Sequence, residues 1–307
     1  MGRMRRNGRD VNGILLLDKP VGTGSNEVLQ IVKRLYQARK AGHTGSLDRL
    51  ACGLLPICLG EATKMSGFLL NADKRYQALV RLGEKSSTGD AEGEIIERRP
   101  VPVLSPEQVN RVLEGFHGEI EQIPPMHSAV KIQGQRLYKL AHRGLTIERE
   151  PRRVTIRSIA MTALAGADLH IDVLCTKGTY IRTLAEDIGE ALGCGARIEA
   201  LRRTASGPFS SEQMVGLETL GELAAEPGLA ALDGLLLPMQ TAVAQWPDIH
   251  LSESVAYYLR MGQAVLVPRA PTSGMVRLYR DSERFIGVGE VLDDGRIAPR
   301  RLVNTKR

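Results

Sequence analysis

The chain has 307 residues, enough for two domains, and its 43% apolar and 25% charged residues are those of an ordinary globular protein. No apolar run approaches the roughly 18 residues that a membrane-spanning helix needs, so none is expected. A net charge of +6 and a pI of about 9.2 favour a polyanionic partner.

The basic start from Met1 to Arg9 has the charge of a signal peptide. The apolar run behind it, Gly13 to Leu17, is too short for one and ends at Asp18-Lys19-Pro20, so a cytoplasmic protein is expected. Gly13–Leu17 reads as a buried strand. Val28, Ile31, Val32, Leu35 and Tyr36 then mark the apolar stripe of a helix. From Ala41 to Pro56 glycine and proline interrupt every period, which reads as a loop. Glu61–Leu70 looks helical, and alternation around Tyr76, Ala78, Val80 and Leu82 predicts a strand. Ser105-Pro-Glu-Gln108 is a capping box that opens a helix through Val109, Val112, Leu113 and Phe116.

Ile123-Pro124-Pro125 breaks the chain, and a turn-rich basic segment follows, with a short helix expected at Leu137–His142. Strands are expected at Val154–Met161 and Leu169–Cys175. A helix follows over Thr179–Gly193, with Gly193 placed to end it. After about Gln240 four short strand-like runs, Ala264–Val267, Met275–Tyr279, Phe285–Val291 and Ile297–Val303, suggest a small β-barrel-like domain with a boundary near 245.

Cys52, Cys58, Cys175 and Cys194 form no C-x-x-C pair, no H-E-x-x-H occurs, and no phosphate-binding glycine loop is present, so no metal or other cofactor is expected. Basic residues gather in three places: Arg3, Arg5, Arg6 and Arg9; Lys131, Arg136, Lys139, Arg143, Arg149, Arg152, Arg153 and Arg157; and Arg296, Arg300, Arg301, Lys306 and Arg307. They form either an extended footprint on a phosphate backbone or a solvated basic surface.

The most informative stretch is Gly42-His-Thr-Gly-Ser-Leu-Asp-Arg-Leu-Ala-Cys-Gly-Leu-Leu-Pro56. It closely resembles the catalytic motif of the TruB family of tRNA pseudouridine synthases. Gly13–Pro20, Gly60–Lys64, Lys74–Tyr76, Lys177–Arg182, Leu201–Arg203 and Ala298–Leu302 extend the resemblance over nearly the whole chain. The resemblance implies an α+β fold: a mixed or largely antiparallel sheet with flanking helices, over residues 1–245, and a PUA-like RNA-binding module over 246–307. The segment from about 124 to 153 corresponds to a mobile RNA-pinning insertion. The implied activity is isomerisation of uridine 55 in the T-arm of tRNA, by a monomer whose C-terminal module reaches the acceptor stem.

By the same resemblance Asp48 is the nucleophile, attacking C1′ of the ribose or C6 of the uracil. Arg182 is its cationic partner, and Tyr76 stacks on the flipped uracil and serves proton transfer. His43 inserts into the RNA, Tyr180 and Leu201 line the pocket, and Lys64 and Asp90 stand near it. Read without the family, Arg182 is a surface helix arginine, Tyr76 and Leu201 are core residues, and His43 is a hydrogen-bonded loop histidine. The chemistry rearranges one glycosidic bond with no redox change, which agrees with the expected lack of a cofactor. The target base must be flipped out of its stack.

Three residues depart from the motif. Ser46 and Cys52 stand where threonines are usual, and Arg49 replaces the proline that normally follows the nucleophile. Arg49 removes two backbone restraints beside Asp48, so a less preorganised loop, or one held by compensating packing, is expected. An RNA-binding protein without catalysis would keep the basic clusters but would not need Asp48, Tyr76 and Arg182 together. A synthase for ribosomal or guide-directed RNA is a further alternative; the chain lacks long basic tails that would support it.

Overall fold

A computed structural model of the chain describes residues 8–304, except Ala129, Gln133, His142 and Ser282, and describes Lys131, Arg136 and Lys139 by their backbone alone. Arg3, Arg5, Arg6, Lys306 and Arg307 of the basic clusters lie outside the described residues.

The first part of the chain runs β1 (Gly13–Lys19), α1 (Ser25–Leu35), β2 (Ala41–His43), β3 (Cys52–Leu59), α2 (Ser66–Asn71), β4 (Lys74–Leu82), β5 (Glu84–Ser86) and β6 (Ile95–Arg98). It continues through α3 (Pro106–Glu114), β7 (Gly118–Gln122), β8 (Lys131–Ile132), β9 (Gln135–Arg136), α4 (Leu137–Ala141), β10 (Arg152–Ala165), β11 (Asp168–Cys175), α5 (Ile181–Ala191) and β12 (Ala196–Ser206). After β13 (Phe209–Ser210) and β14 (Val215–Gly216) come α6 (Leu217–Ala225) and α7 (Leu229–Gly234). The last part is β15 (Asp248–Leu251), α8 (Glu253–Arg260), β16 (Val265–Leu266), β17 (Gly274–Arg280), β18 (Arg284–Val291) and β19 (Arg296–Leu302).

One large sheet has the order β14-β1-β3-β12-β4-β11-β10-β7. Its pairs are antiparallel except β1 with β14 and β3 with β12. Alternation explains its central strands. Leu169, Ile171, Val173 and Cys175 of β11 are buried on the same face as Ala78, Val80 and Leu82 of β4. That face packs against Val28 and Val32 of α1, Val109 and Leu113 of α3, and Leu184 and Ile188 of α5 in one core. Both bonds of the Ser105–Gln108 capping box are made, and Gly193 follows α5 with φ +82°.

The stretch expected to be a loop from Ala41 to Pro56 is shorter. β2 and β3 take its two ends, leaving Thr44–Ala51 as the irregular part. Gly53 shows why its glycine was misleading. It has φ +93°, and a Cβ there would stand 2.4 Å from the Arg203 carbonyl oxygen. The glycine lets β3 press against β12; it does not end the strand.

The C-terminal sheet has the open order β15-β17-β18-β19-β16, a curled half-barrel consistent with a PUA-like module. Sequence reading found β16–β19 and missed β15 and α8. The module has its own small core, including Ile249, Leu259, Val276 and Ile286. A second cluster joins it to the large sheet, packing Ile14, Leu16, Leu54, Met65 and Leu69 with Tyr279, Phe285, Val288 and Val303.

Candidate active site

The Thr44–Ala51 loop is held from three sides. Ser25, buried at the start of α1, accepts a hydrogen bond from the Leu47 amide (2.8 Å) through Oγ and donates one to the Leu47 carbonyl (2.9 Å). The Gly22 amide donates to the Arg49 carbonyl at 2.8 Å. The fully buried Lys19 donates through Nζ to the Ala51 carbonyl at 2.6 Å and to the Pro20 carbonyl at 2.8 Å. Burial pulls the Lys19 ammonium below its usual pKa, and the nearby Asp48 opposes that shift. These bonds restrain the loop without a proline ring at position 49. The loop beside Asp48 is therefore fixed by hydrogen bonding and packing.

The loop presents Asp48 to the N-terminal end of α5. Arg182 Nη2 lies 3.0 Å from Asp48 Oδ2, and its Nη1 lies 3.4 Å from Asp90 Oδ2. The guanidinium also donates to the Thr88 carbonyl at 3.0 Å and the His127 carbonyl at 2.8 Å. It is almost wholly buried, contrary to the surface arginine suggested by its helix position alone. Asp90 is 3% exposed and accepts from Thr88 Oγ1 at 2.5 Å and from the Glu92 amide at 3.1 Å. Asp48 differs: its side chain is 47% exposed. Arg182 thus anchors to a buried carboxylate and two carbonyls and offers a fixed edge to an open carboxylate. Crowding by the surrounding protein raises the Asp48 carboxyl above its ordinary pKa, and Arg182 pulls it back.

Tyr76 lies on β4, half-buried against the main core. Burial pushes its hydroxyl up in pKa, with Arg203 opposing and Asp48 adding to the rise. Tyr180 precedes α5, and its backbone is pinned by Gln122, which accepts from the Tyr180 amide at 3.0 Å and donates to its carbonyl at 3.3 Å. Leu201 is packed in the main core and also lines a cavity of about 450 Å³ together with Val21, Leu50, Cys52, Gln77 and Arg202. His43 ends β2 with its Nδ1 buried and without a hydrogen-bond partner among the described residues. Burial lowers its pKa, with Arg203 contributing, so the ring is neutral at pH 7.

Lys64 stands apart from this group. Its ammonium bonds Glu61 Oε2 at 2.6 Å and the Leu302 carbonyl at 2.9 Å, on the seam with the C-terminal module. Sequence reasoning missed Arg203, which is 1% exposed. Its Nε donates to the Leu54 carbonyl at 2.7 Å and its Nη2 to the Gly45 carbonyl at 3.1 Å, bracing the motif from behind. It also missed Lys19 and Gln122. Among the described residues no cluster of three or more metal-ligating side chains occurs.

Residues 33–181 match the N-terminal domain of the TruB family pseudouridylate synthases. Residues 182–244 and 247–303 match two further domains described as tRNA pseudouridylate synthase B C-terminal domain and Pseudouridine synthase II TruB, C-terminal. A tRNA pseudouridine synthase B of Nitrosococcus oceani is 59% identical over 304 residues, covering 99% of this chain and 98% of its own. The chain belongs to the TruB family. A second relative in the family, from Stutzerimonas stutzeri and of the same name, is 54% identical over the full length of both chains. Among solved structures, a chain of a Cbf5-Nop10-Gar1 complex superposes with TM-score 0.73 at 28% identity, covering 96% of this chain and 84% of its own. The archaeal box H/ACA sRNP Nop10-Cbf5 complex gives TM-score 0.69 at 27% identity, covering 96% and 85%. The mixed α+β architecture expected from the sequence is that of these structures, and the chain is a pseudouridine synthase by family.

Proposed function

We propose that this TruB-family chain isomerises uridine 55 in the T-arm of tRNA to pseudouridine, with Asp48 as the nucleophile. The observation that carries the assignment is the Asp48–Arg182 contact at 3.0 Å, between a half-open carboxylate and a buried guanidinium. An ionised, accessible carboxylate held in a walled cleft is what attack on a flipped nucleotide requires. Relatives named as tRNA pseudouridine synthase B at 54–59% identity support tRNA as the substrate.

In this reading the bond from N1 to C1′ breaks, the uracil turns, and a bond from C5 to C1′ forms. The C5 proton then leaves and N1 is protonated. Asp48 stabilises the separated state by bonding transiently to C1′ of the ribose, from which C5 then displaces it, or to C6 of the base, from which it leaves as the C5–C6 double bond re-forms. Arg182 keeps Asp48 ionised, and Asp90 holds Arg182 in place. Tyr76 stacks on the base and serves the transfer of the C5 proton, and Tyr180 and Leu201 wall the pocket. His43, whose buried Nδ1 has no hydrogen-bond partner among the described residues, fills the space left by the flipped base. Lys64 acts at a distance by fixing the C-terminal module. The catalytic part spans residues 1–245 with an RNA-pinning insertion at about 124–153. Residues 246–307 bind the acceptor stem, and the enzyme works as a cytoplasmic monomer.

Unmodified tRNA incubated with wild type and with Asp48→Asn, followed by single-nucleotide mapping of pseudouridine, tests the assignment. Product at position 55 with wild type alone is expected. Product with both proteins overturns the nucleophile. Product with neither, and RNA still bound, points to a binding protein.

A further inference from the structure

Arg49 follows Asp48 directly, and its side chain is 62% exposed. Its backbone is committed to the loop through the bond from the Gly22 amide, while its guanidinium makes only a long ion pair among the described residues. The nearest acid is Glu27, whose Oε2 is 3.8 Å from Nη2 and whose side chain is 53% exposed. Glu27 already has another partner, since the same oxygen accepts from the Gly24 amide at 3.3 Å and caps α1. An ion pair this long and this wet holds only weakly. Across the same loop Lys19 is buried on carbonyls and Arg182 is buried on Asp48 and Asp90, so neither has a free edge for RNA. Arg49 is the cation of the motif that faces solvent.

Consecutive Cα atoms are about 3.8 Å apart, so Asp48 and Arg49 work on one nucleotide neighbourhood. A nucleotide whose sugar or base touches the Asp48 carboxylate carries phosphates on both sides, each within reach of an extended arginine. A planar, permanently charged guanidinium suits such a phosphate in two-point contact. We propose that Arg49 clamps a backbone phosphate flanking the target nucleotide, leaving Glu27 for it when RNA binds. This rests on the active-site reading above and adds to it a contact that the usual proline cannot make. The replacement of proline thus exchanges a ring restraint for a charge, and the Ser25, Gly22 and Lys19 bonds hold the loop.

The test is the salt dependence of tRNA binding, measured with full-length protein in the Asp48→Asn background, where RNA is not consumed. Each phosphate contact contributes about 0.7–0.9 to the slope of log Kd against log[KCl]. Arg49→Gln is expected to lower the slope by that amount, about a threefold smaller affinity loss between 50 and 200 mM KCl. Arg49→Lys keeps the parent slope, since the point charge remains. Arg98→Gln, at a 73% exposed arginine on the β5–β6 hairpin, also keeps it. Glu27→Gln tightens binding severalfold at low salt, because the competing carboxylate is gone. An unchanged slope in Arg49→Gln, or an equal drop in Arg98→Gln, overturns the proposal. If Asp48→Asn still makes pseudouridine, the nucleophile assignment fails while the slopes remain readable, so the two failures are distinct.

Discussion

Replacing Arg182 by methionine removes the charge and leaves a side chain of similar length in the same buried place. Four contacts are lost: Asp48 at 3.0 Å, Asp90 at 3.4 Å, and the Thr88 and His127 carbonyls at 3.0 and 2.8 Å. They differ in weight. Asp48 is 47% open to water, so its arm adds little to stability. Asp90 is 3% exposed and, among the described residues, would be left with only Thr88 Oγ1 and the Glu92 amide to satisfy its side chain. Breaking a buried pair from one side costs about 3–5 kcal/mol, nearly all of it here from stranded Asp90. Asp90→Asn removes that penalty, so Arg182→Met/Asp90→Asn should recover at least about 1 kcal/mol relative to the sum of the single variants. Urea unfolding at pH 7 of the four proteins measures this. A coupling below about 0.5 kcal/mol would refute the view that Asp90 depends on Arg182. The same variant acts on chemistry, because without Arg182 the carboxyl of Asp48 rises further. The acid limb of the single-turnover rate should move to higher pH in Arg182→Met, and an unmoved limb would show that Arg182 does not set the charge of Asp48.

Two further outcomes follow from the same geometry. Because burial lifts the folded Asp48 carboxyl above the ordinary aspartate pKa of about 3.9, its ionised form costs stability above the folded pKa, and that cost vanishes below the ordinary one. Asp48→Asn should therefore be more stable than wild type in urea at pH 7, with the advantage shrinking as pH falls; no advantage at pH 7 counts against crowding as the cause. Gly53→Ala should cost more than about 2 kcal/mol, since its φ is +93° and a Cβ would meet the Arg203 carbonyl at 2.4 Å. Gly22→Ala, at φ +82° with nothing within 4 Å, should cost only about 1 kcal/mol, and equal costs in urea would refute the role of close approach.

Local rules made much of the fold legible. The stripe of α1, the capping box at Ser105 and the alternation of β11 depend on neighbours in sequence, and each formed where expected. The motif loop was harder to read because β2 and β3 are strands by virtue of partners far away in the chain. A glycine read as a breaker at position 53 is required by β12, about 150 residues later. Arg203 and Lys19 lie in stretches that carry the resemblance, and Gln122 in none, but the role of each depends on carbonyls or amides that only folding brings near. The Leu302 carbonyl that Lys64 binds, on the seam with the C-terminal module, could not be seen from sequence.

The seam beside Lys64 has a mechanical consequence. Met65 and Leu69 from one end of the chain and Phe285 and Val303 from the other share one apolar cluster. Phe68 meets Trp246 edge-on at 4.9 Å, and the Asn304 amide donates to Glu61 at 2.6 Å. A module joined by a shared interior behaves as a fixed arm of a caliper, with Asp48 on the other jaw. If the C-terminal module binds RNA as proposed, the fixed seam makes the molecule a gauge of the span between two parts of a folded RNA.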